Sequence, residues 1–154
     1  MAANTRRSAT AGFVTTPAVS SRMSRQAVRD TAPELAVRRE LFAAGERFRV
    51  AFPVPGRTRC TIDVAFPRRK VAVFIDGCFW HGCTDHKTTP RSNSAAWRAK
   101  LAENRRRDEA VDVLLRGQGW SVVRAWEHDD VSLVCERVRE ILAIAGTAHE
   151  KAVA

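Results

Sequence analysis

Val71-Ala-Val-Phe-Ile75 is an unbroken apolar run rich in β-branched residues, and such a run belongs in a central strand covered on both faces. Just before it, Thr61-Ile-Asp-Val-Ala-Phe66 alternates, which predicts a neighbouring strand with Ile62, Val64 and Phe66 on one face and Thr61, Asp63 and Ala65 on the other. Pro67-Arg-Arg-Lys70 supplies the turn, so the two strands form an antiparallel hairpin. Asp63 is then a carboxylate held on a strand, on the face away from the large apolar side chains.

The remaining elements assemble around that hairpin. Thr31-Ala-Pro-Glu34 has a capping residue, a proline near the first helical position and an acid three residues after the cap. The helix it starts should run to Ala44 and stop at Gly45, with Leu35, Val37, Leu41 and Phe42 facing the sheet. Arg47 to Phe52 reads as a short strand and Pro53-Val-Pro-Gly56 as a turn. Ser94 to Gly117 is the longest helical pattern. Its Trp97, Leu101, Asn104, Asp108, Val111 and Leu115 fall at steps of three and four and share one stripe, which places two polar residues on a buried face. Trp120 to Trp126 gives a third strand of the same sheet, and Val131 to Ala145 a terminal helix. The class is therefore α/β, a mixed α+β sheet flanked by helices. Residues 21–148 make one domain, and 1–20, rich in Ala, Thr and Ser without apolar period, a disordered tail.

Lys and Arg number 26 against 17 Asp and Glu, a formal charge of +9, which favours a polyanionic partner such as nucleic acid. Arg22, Arg25 and Arg29 share one helical face and suit a phosphate backbone as well as they suit solvent. No stretch approaches the ~18 apolar residues of a membrane helix, and no apolar leader precedes a cleavage site. A cytoplasmic protein follows, in which the 4 cysteines point to metal binding or burial before disulfides.

Cys78, Cys83 and His86 lie on one short stretch, so a single loop can present three ligands to one metal. His128, just past the strand ending at Trp126, is the best fourth, with Asp85 and Cys135 as substitutes. A closed Cys2His2 shell would be structural zinc; the plain alternative is two buried thiols and surface histidines. His81, between the cysteines, is left for proton transfer, since a neutral imidazole near pH 7 is the natural general base or acid. Phe79 and Trp80 are apolar wedges of the kind that insert between base steps, and Trp97 would add a third. Asp63, with Ile75 and Asp76 at the end of the next strand, has the hard oxygen donors that a Mg²⁺ ion takes for phosphodiester hydrolysis, and Glu34 stands near a helix start beside it.

These residues carry a family resemblance. Ser21-Arg-Met-Ser-Arg, Arg29-Asp-Thr-Ala-Pro-Glu34, Asp63, Asp76-Gly-Cys-Phe-Trp-His-Gly-Cys83, Pro90, Asn93, Trp97, Lys100, Asn104, Arg107-Asp108, Gly119-Trp120 and Trp126-Glu-His128 occur in the order seen in the very short patch repair (Vsr) DNA mismatch endonucleases. The chain resembles that family over residues 20 to 130. The resemblance implies a restriction-endonuclease-like core with a structural zinc site, and a Mg²⁺-dependent nick 5′ to the thymine of a T:G mismatch left by deamination of 5-methylcytosine. It makes Asp63 the metal-binding catalytic aspartate and Ile75 the position offering a backbone carbonyl. His81 becomes the general base, Asp108 the acid that orients it, and Glu34 a glutamate of the site's edge. Phe79, Trp80 and Trp97 resemble the intercalating aromatics, and Asn104 joins Arg22, Arg25 and Arg29 among the expected DNA contacts. A monomer acting on nucleoid DNA, functionally linked to a cytosine-5 DNA methyltransferase and mismatch repair proteins, completes the expectation.

This sequence departs from the family's best-known members. Those have a histidine where Cys83 stands, a cysteine two residues further on and a cysteine where His128 stands, so a permuted ligand set is expected here. Asp76 also replaces a histidine, and as a carboxylate it would add to the Mg²⁺ site. Two other readings use the same residues differently: a restriction-type nuclease that cuts paired DNA, and a non-catalytic zinc module that binds DNA and has no use for Asp63 or His81.

Overall fold

The computed structural model describes residues 30–81, 83, 85, 86 and 94–153. The tail, Arg22, Arg25, Arg29 and the side chain of Trp80 lie outside what is described. In chain order the elements are α1 (Ala32–Ala43), β1 (Arg49–Val54), β2 (Arg57–Phe66), β3 (Val71–Asp76), the single turn α2 (Cys78–His81), α3 (Ser94–Gly117), β4 (Ser121–Trp126) and α4 (Val131–Val153). The four strands form one sheet in the order β1-β2-β3-β4. The first two pairings are antiparallel and β3–β4 is parallel. Parallel neighbours need a crossover, and here it carries α2 and α3.

β3 sits between β2 and β4, and Val71, Ala72, Val73 and Phe74 are all buried, as an apolar run without alternation requires. Val71 and Val73 join Val64, Phe66, Val123 and Ala125 under α1 and α4, whose Val37, Leu41, Val134, Cys135, Val138 and Leu142 close that side. On the other face Ala72 and Phe74 meet Ile62, Ala65, Val54 and Trp120 beneath Val111 and Leu115 of α3. No helix among the described residues is long and apolar enough to cross a membrane.

Two helix ends are fixed by glycine. Gly45 takes φ 86°, while Glu46 N–H reaches Leu41 O at 3.0 Å and Gly45 N–H reaches Phe42 O at 3.0 Å. Only a residue without a Cβ adopts that left-handed turn cheaply, and the paired bonds satisfy carbonyls the helix end leaves over. α3 ends the same way at Gly119, φ 80°, with Trp120 N–H on Leu115 O at 3.0 Å.

The structure corrects several expectations. Phe42 does not face the sheet: it is 60 % exposed, with the Arg47 guanidinium 4.6 Å over its ring. Leu41 already fills the core side, so the next residue along the helix points out. Ile62 packs with Ala65 under α3, not with Val64 and Phe66. Strict alternation fails in this stretch, where Ala51, between the Val50↔Val64 and Phe52↔Ile62 pairs, adopts φ 47° and the β1–β2 register shifts between Pro53 and Val54. β1 runs Arg49–Val54 and not Arg47–Phe52, and the turn shrinks to Pro55-Gly56. β2 begins at Arg57, and α4 continues past Ala145. Thr31 occupies the N-cap of α1 but makes no side-chain cap; its hydroxyl and the Asp30 N–H both donate to Glu34 instead.

Candidate active site and metal centre

Asp63 stands where two strands part. The β2–β3 ladder ends at Val64↔Val73, whereas β3 stays paired with β4 as far as Asp76↔Trp126. Past the end of the ladder, the Ile75 amide donates to Asp63 Oδ2 at 2.8 Å, so the side chain takes over from the strand. Burial pushes the Asp63 carboxyl from its ordinary 3.8 up to about 6; Glu34 and Asp76 add to the rise, and the Ile75 bond and Arg38 oppose it. Negative charge gathered at a half-buried point calls for a proton or a cation.

Glu34 is buried on the first turn of α1. Its carboxylate accepts from Asp30 N–H at 3.1 Å, from the Thr31 hydroxyl at 3.0 Å and from Arg38 Nη2 at 2.9 Å. The acid three residues after the cap therefore holds the helix start, with an i,i+4 arginine as counter-charge. Arg38 also bonds Asp30, and its buried Nε has no protein partner among the described residues.

His81 closes α2, where its backbone N–H reaches Gly77 O at 3.1 Å. Nδ1 lies 2.6 Å from Asp108 Oδ2 and 3.6 Å from Asp76 Oδ1. Burial works against ionisation of Asp108, but the hydrogen bond and charge of His81, with Arg124 and Arg107 behind them, hold its carboxyl below the usual range. Asp108 reaches His81 because it lies on the α3 stripe that also buries Trp97, Asn104, Val111 and Leu115. Arg105 adds a bond from Nε to His81 O at 3.3 Å.

Asp76, at the end of β3, is buried and accepts two bonds from Arg124 Nη1, at 2.8 and 2.9 Å. Arg124 also bonds Asp112 through Nε at 3.0 Å and the Asp108 carbonyl through Nη2 at 3.4 Å, and its guanidinium lies 4.6 Å over the Phe74 ring.

Beside this network Cys78, Cys83, His86 and His128 bring one ligand atom each into a cluster in which all lie within 4.8 Å of one another. Cys78 Sγ is 2.9 Å from His128 Nδ1 and 3.8 Å from His86 Nδ1, and Cys83 Sγ is 3.8 Å from the same nitrogen. Tetrahedral zinc, with bonds of about 2.0–2.3 Å, sets its ligands about 3.3–3.8 Å apart; the donor types fit it and the two 3.8 Å separations match, while Cys78 and His128 stand closer than a bound ion would hold them. Burial, then the neighbouring Cys83 and Glu127, push the Cys78 thiol up to about 12. Glu127 joins the strand ends to the cluster: its carboxylate accepts from Cys78 N–H at 2.8 Å and its N–H reaches Asp76 O at 3.0 Å. Of the two substitute ligands, Cys135 is buried between α1 and α4 with Sγ on Val37 O, and Asp85 lies 4.0 Å from His128 Nε2, outside the four.

Phe79 meets Trp97 edge-on, with ring centroids 5.0 Å apart. Trp97 is 6 % exposed and Asn104 5 %, so in this state neither side chain is presented to a duplex; Trp97 backs Phe79 instead. Four residues of the network were not singled out from sequence, Arg38, Arg105, Asp112 and Arg124, and Glu127 entered only within the Trp126-Glu-His128 motif. Arg124 had the clearest signal, a charge in the middle of an apolar strand.

Residues 13–87 match the family described as DNA mismatch endonuclease Vsr. The type II nicking enzyme V.NaeI of Lentzea aerocolonigenes is 41 % identical over 77 % of this chain and 69 % of its own length. The type II nicking enzymes V.XorIIP of Xanthomonas oryzae pv. oryzae and V.NmeDIP of Neisseria meningitidis serogroup C are each 38 % identical, over 74 % and 71 % of this chain and 84 % and 76 % of their own lengths. With such relatives, and with a paired histidine and aspartate and a zinc-type ligand cluster drawing on the same short stretch of chain, the chain belongs to the Vsr family of DNA endonucleases.

Proposed function

We propose that this protein nicks one strand of duplex DNA on the 5′ side of the thymine in a T:G mismatch, the lesion left when 5-methylcytosine deaminates, by Mg²⁺-dependent hydrolysis. The observation that carries the reading is the 2.6 Å His81–Asp108 pair, with Asp76 3.6 Å from the same nitrogen and helping to displace the Asp63 carboxyl to about 6. The restriction-endonuclease-like arrangement is supported by a mixed sheet whose strands part at Asp63.

Asp63 and the Ile75 carbonyl are the hard oxygen donors that would hold Mg²⁺, with Glu34 at the edge of the site, while both oxygens of Asp76 are taken by Arg124. When bound, the ion neutralises charge at the phosphate and lowers the pKa of a water. With Nδ1 engaged by Asp108, His81 Nε2 is the nitrogen that takes the proton of the attacking water. That water's oxygen bonds to phosphorus, one P–O bond breaks, and the departing oxygen acquires a proton from solvent. Asp108 keeps the imidazole in one orientation and balances the charge it gains. Phe79, with Trp80 and with Trp97 behind it, enters the stack beside the mismatch, while Arg22, Arg25, Arg29 and Asn104 add DNA contacts once the duplex is bound. Zinc held by Cys78, Cys83, His86 and His128 fixes the loop that carries His81. The enzyme works as a cytoplasmic monomer on nucleoid DNA, downstream of a cytosine-5 methyltransferase and alongside mismatch repair proteins.

Matched duplexes carrying T:G or T:A at one position test this directly. Nicking of T:G alone, abolished by chelation and restored by Mg²⁺, is expected. Equal cutting of both duplexes would replace mismatch recognition with a restriction-type activity, and binding without cutting would remove the enzyme reading.

A further inference from the structure

Arg124 is the one guanidinium among the described residues that touches three acidic residues of the site. Its fork grips both oxygens of Asp76 at 2.8 and 2.9 Å on the β3 end, and Asp112 at 3.0 Å and the Asp108 carbonyl at 3.4 Å on α3. Asp108 and Asp112 are one helical turn apart, so a single side chain from β4 fixes that turn of α3 against the end of β3. His81 sits in the angle, 2.6 Å from Asp108 and 3.6 Å from Asp76. Two carboxylates thus compete for one imidazole nitrogen, and Asp76 is the one whose oxygens are already occupied.

We propose that Arg124 is a positioning residue of the nicking reaction: by engaging Asp76 and anchoring the Asp108–Asp112 turn, it makes Asp108 the sole partner of His81 Nδ1. The inference rests on the proposed role of His81. Arginine suits this role because its planar fork holds several acceptors at fixed angles, which a lysine cannot do. Without it, Asp76 is a buried carboxylate that has lost its arginine and lies 3.6 Å from His81 Nδ1, so it competes for that nitrogen and draws the imidazole from the orientation in which Nε2 meets water. Misplacement by about 1 Å is enough to cost ~100-fold in rate.

The experiment compares wild type, Arg124→Met, Arg124→Lys and the double variant Arg124→Met/Asp76→Asn in single-turnover nicking of a T:G duplex, with the duplex Kd measured separately in Ca²⁺. Arg124→Met should slow nicking ~10–100-fold with Kd unchanged, and Arg124→Lys should fall between it and wild type. The double variant should recover part of the rate, because the stranded carboxylate is gone. Imidazole NMR gives a readout independent of turnover: the His81 Nδ1–H signal, assigned by its loss in His81→Asn, should shift in Arg124→Met and return towards the wild-type position in the double variant. If Arg124→Met does not fold, the lysine and double variants carry the same comparison. A loss confined to Kd would make Arg124 a DNA contact, and a double variant slower than Arg124→Met would make Asp76 a metal ligand; either overturns the proposal. A wild-type protein that nicks no T:G duplex while its His81 signal still responds to Arg124 would instead refute the reaction and leave the positioning intact.

Discussion

Replacing Asp63 by Asn should make the metal-free protein more stable while abolishing nicking. Asn keeps an oxygen for the Ile75 amide and removes the charge that Glu34 and Asp76 oppose. A carboxyl that ionises near 3.8 in the unfolded chain and at about 6 in the fold penalises the folded state by on the order of 3 kcal/mol once both forms are ionised. The sign follows from proton binding: the folded state binds the proton more tightly, so the penalty is absent below pH ~4, grows to pH ~6 and is complete above it. Allowing for partial exposure, Asp63→Asn should gain about 2 kcal/mol in chelator at pH 7.5, roughly 4–8 °C in Tm for a domain of this size, and almost nothing at pH 4. Urea unfolding at both pH values measures this. Added Mg²⁺ should stabilise wild type and not the variant, since only a binding-competent native state gains from ligand. An Asn variant less stable than wild type at pH 7.5, or shifted equally at both pH values, would refute the crowded-charge account of this site.

Asp108→Asn should lower the nicking rate by ~100–10,000-fold through loss of the imidazole's orienting charge, with duplex Kd little changed. Purified protein should carry about one equivalent of zinc, measured by elemental analysis, and His128→Ala should lower that content and the Tm together. Leu41→Ala should cost about 2–5 kcal/mol in denaturant unfolding because its cavity opens under a closed core, whereas Phe42→Ala should stay within about 1 kcal/mol.

The parts of the fold legible in the sequence were those set by local pattern. The uninterrupted Val71–Ile75 run became a strand with both faces covered, and the Ser94–Gly117 stripe placed Asp108 toward the core, which is how it reaches His81. The Cys78, Cys83, His86 and His128 set was also readable, because ligand types are few and three of them share one loop. Errors arose where a neighbour overrides the pattern. Ile62 changes sides in a stretch where β1 departs from regular pairing, and Phe42 turns out because α1 needs only one narrow stripe under the sheet. Arg124, Asp112 and Glu127 act through partners far along the chain, and a single sequence gives no sign of which acid an arginine will meet.

Cys78 and His128 are 50 residues apart, and between them lie the crossover helix and the whole of β4. A metal joining these two residues would work on the unfolded chain as much as on the folded one, because closing that loop in advance removes conformations the denatured ensemble otherwise explores. For a permanent link of that span the effect is on the order of 4 kcal/mol, and parallel pairing, the slowest contact in this topology to find by diffusion, would gain most. A zinc-loaded chain should therefore refold faster than the apo chain, with β3–β4 pairing formed at the barrier, and a metal proposed to fix the His81 loop would also guide the sheet to its register.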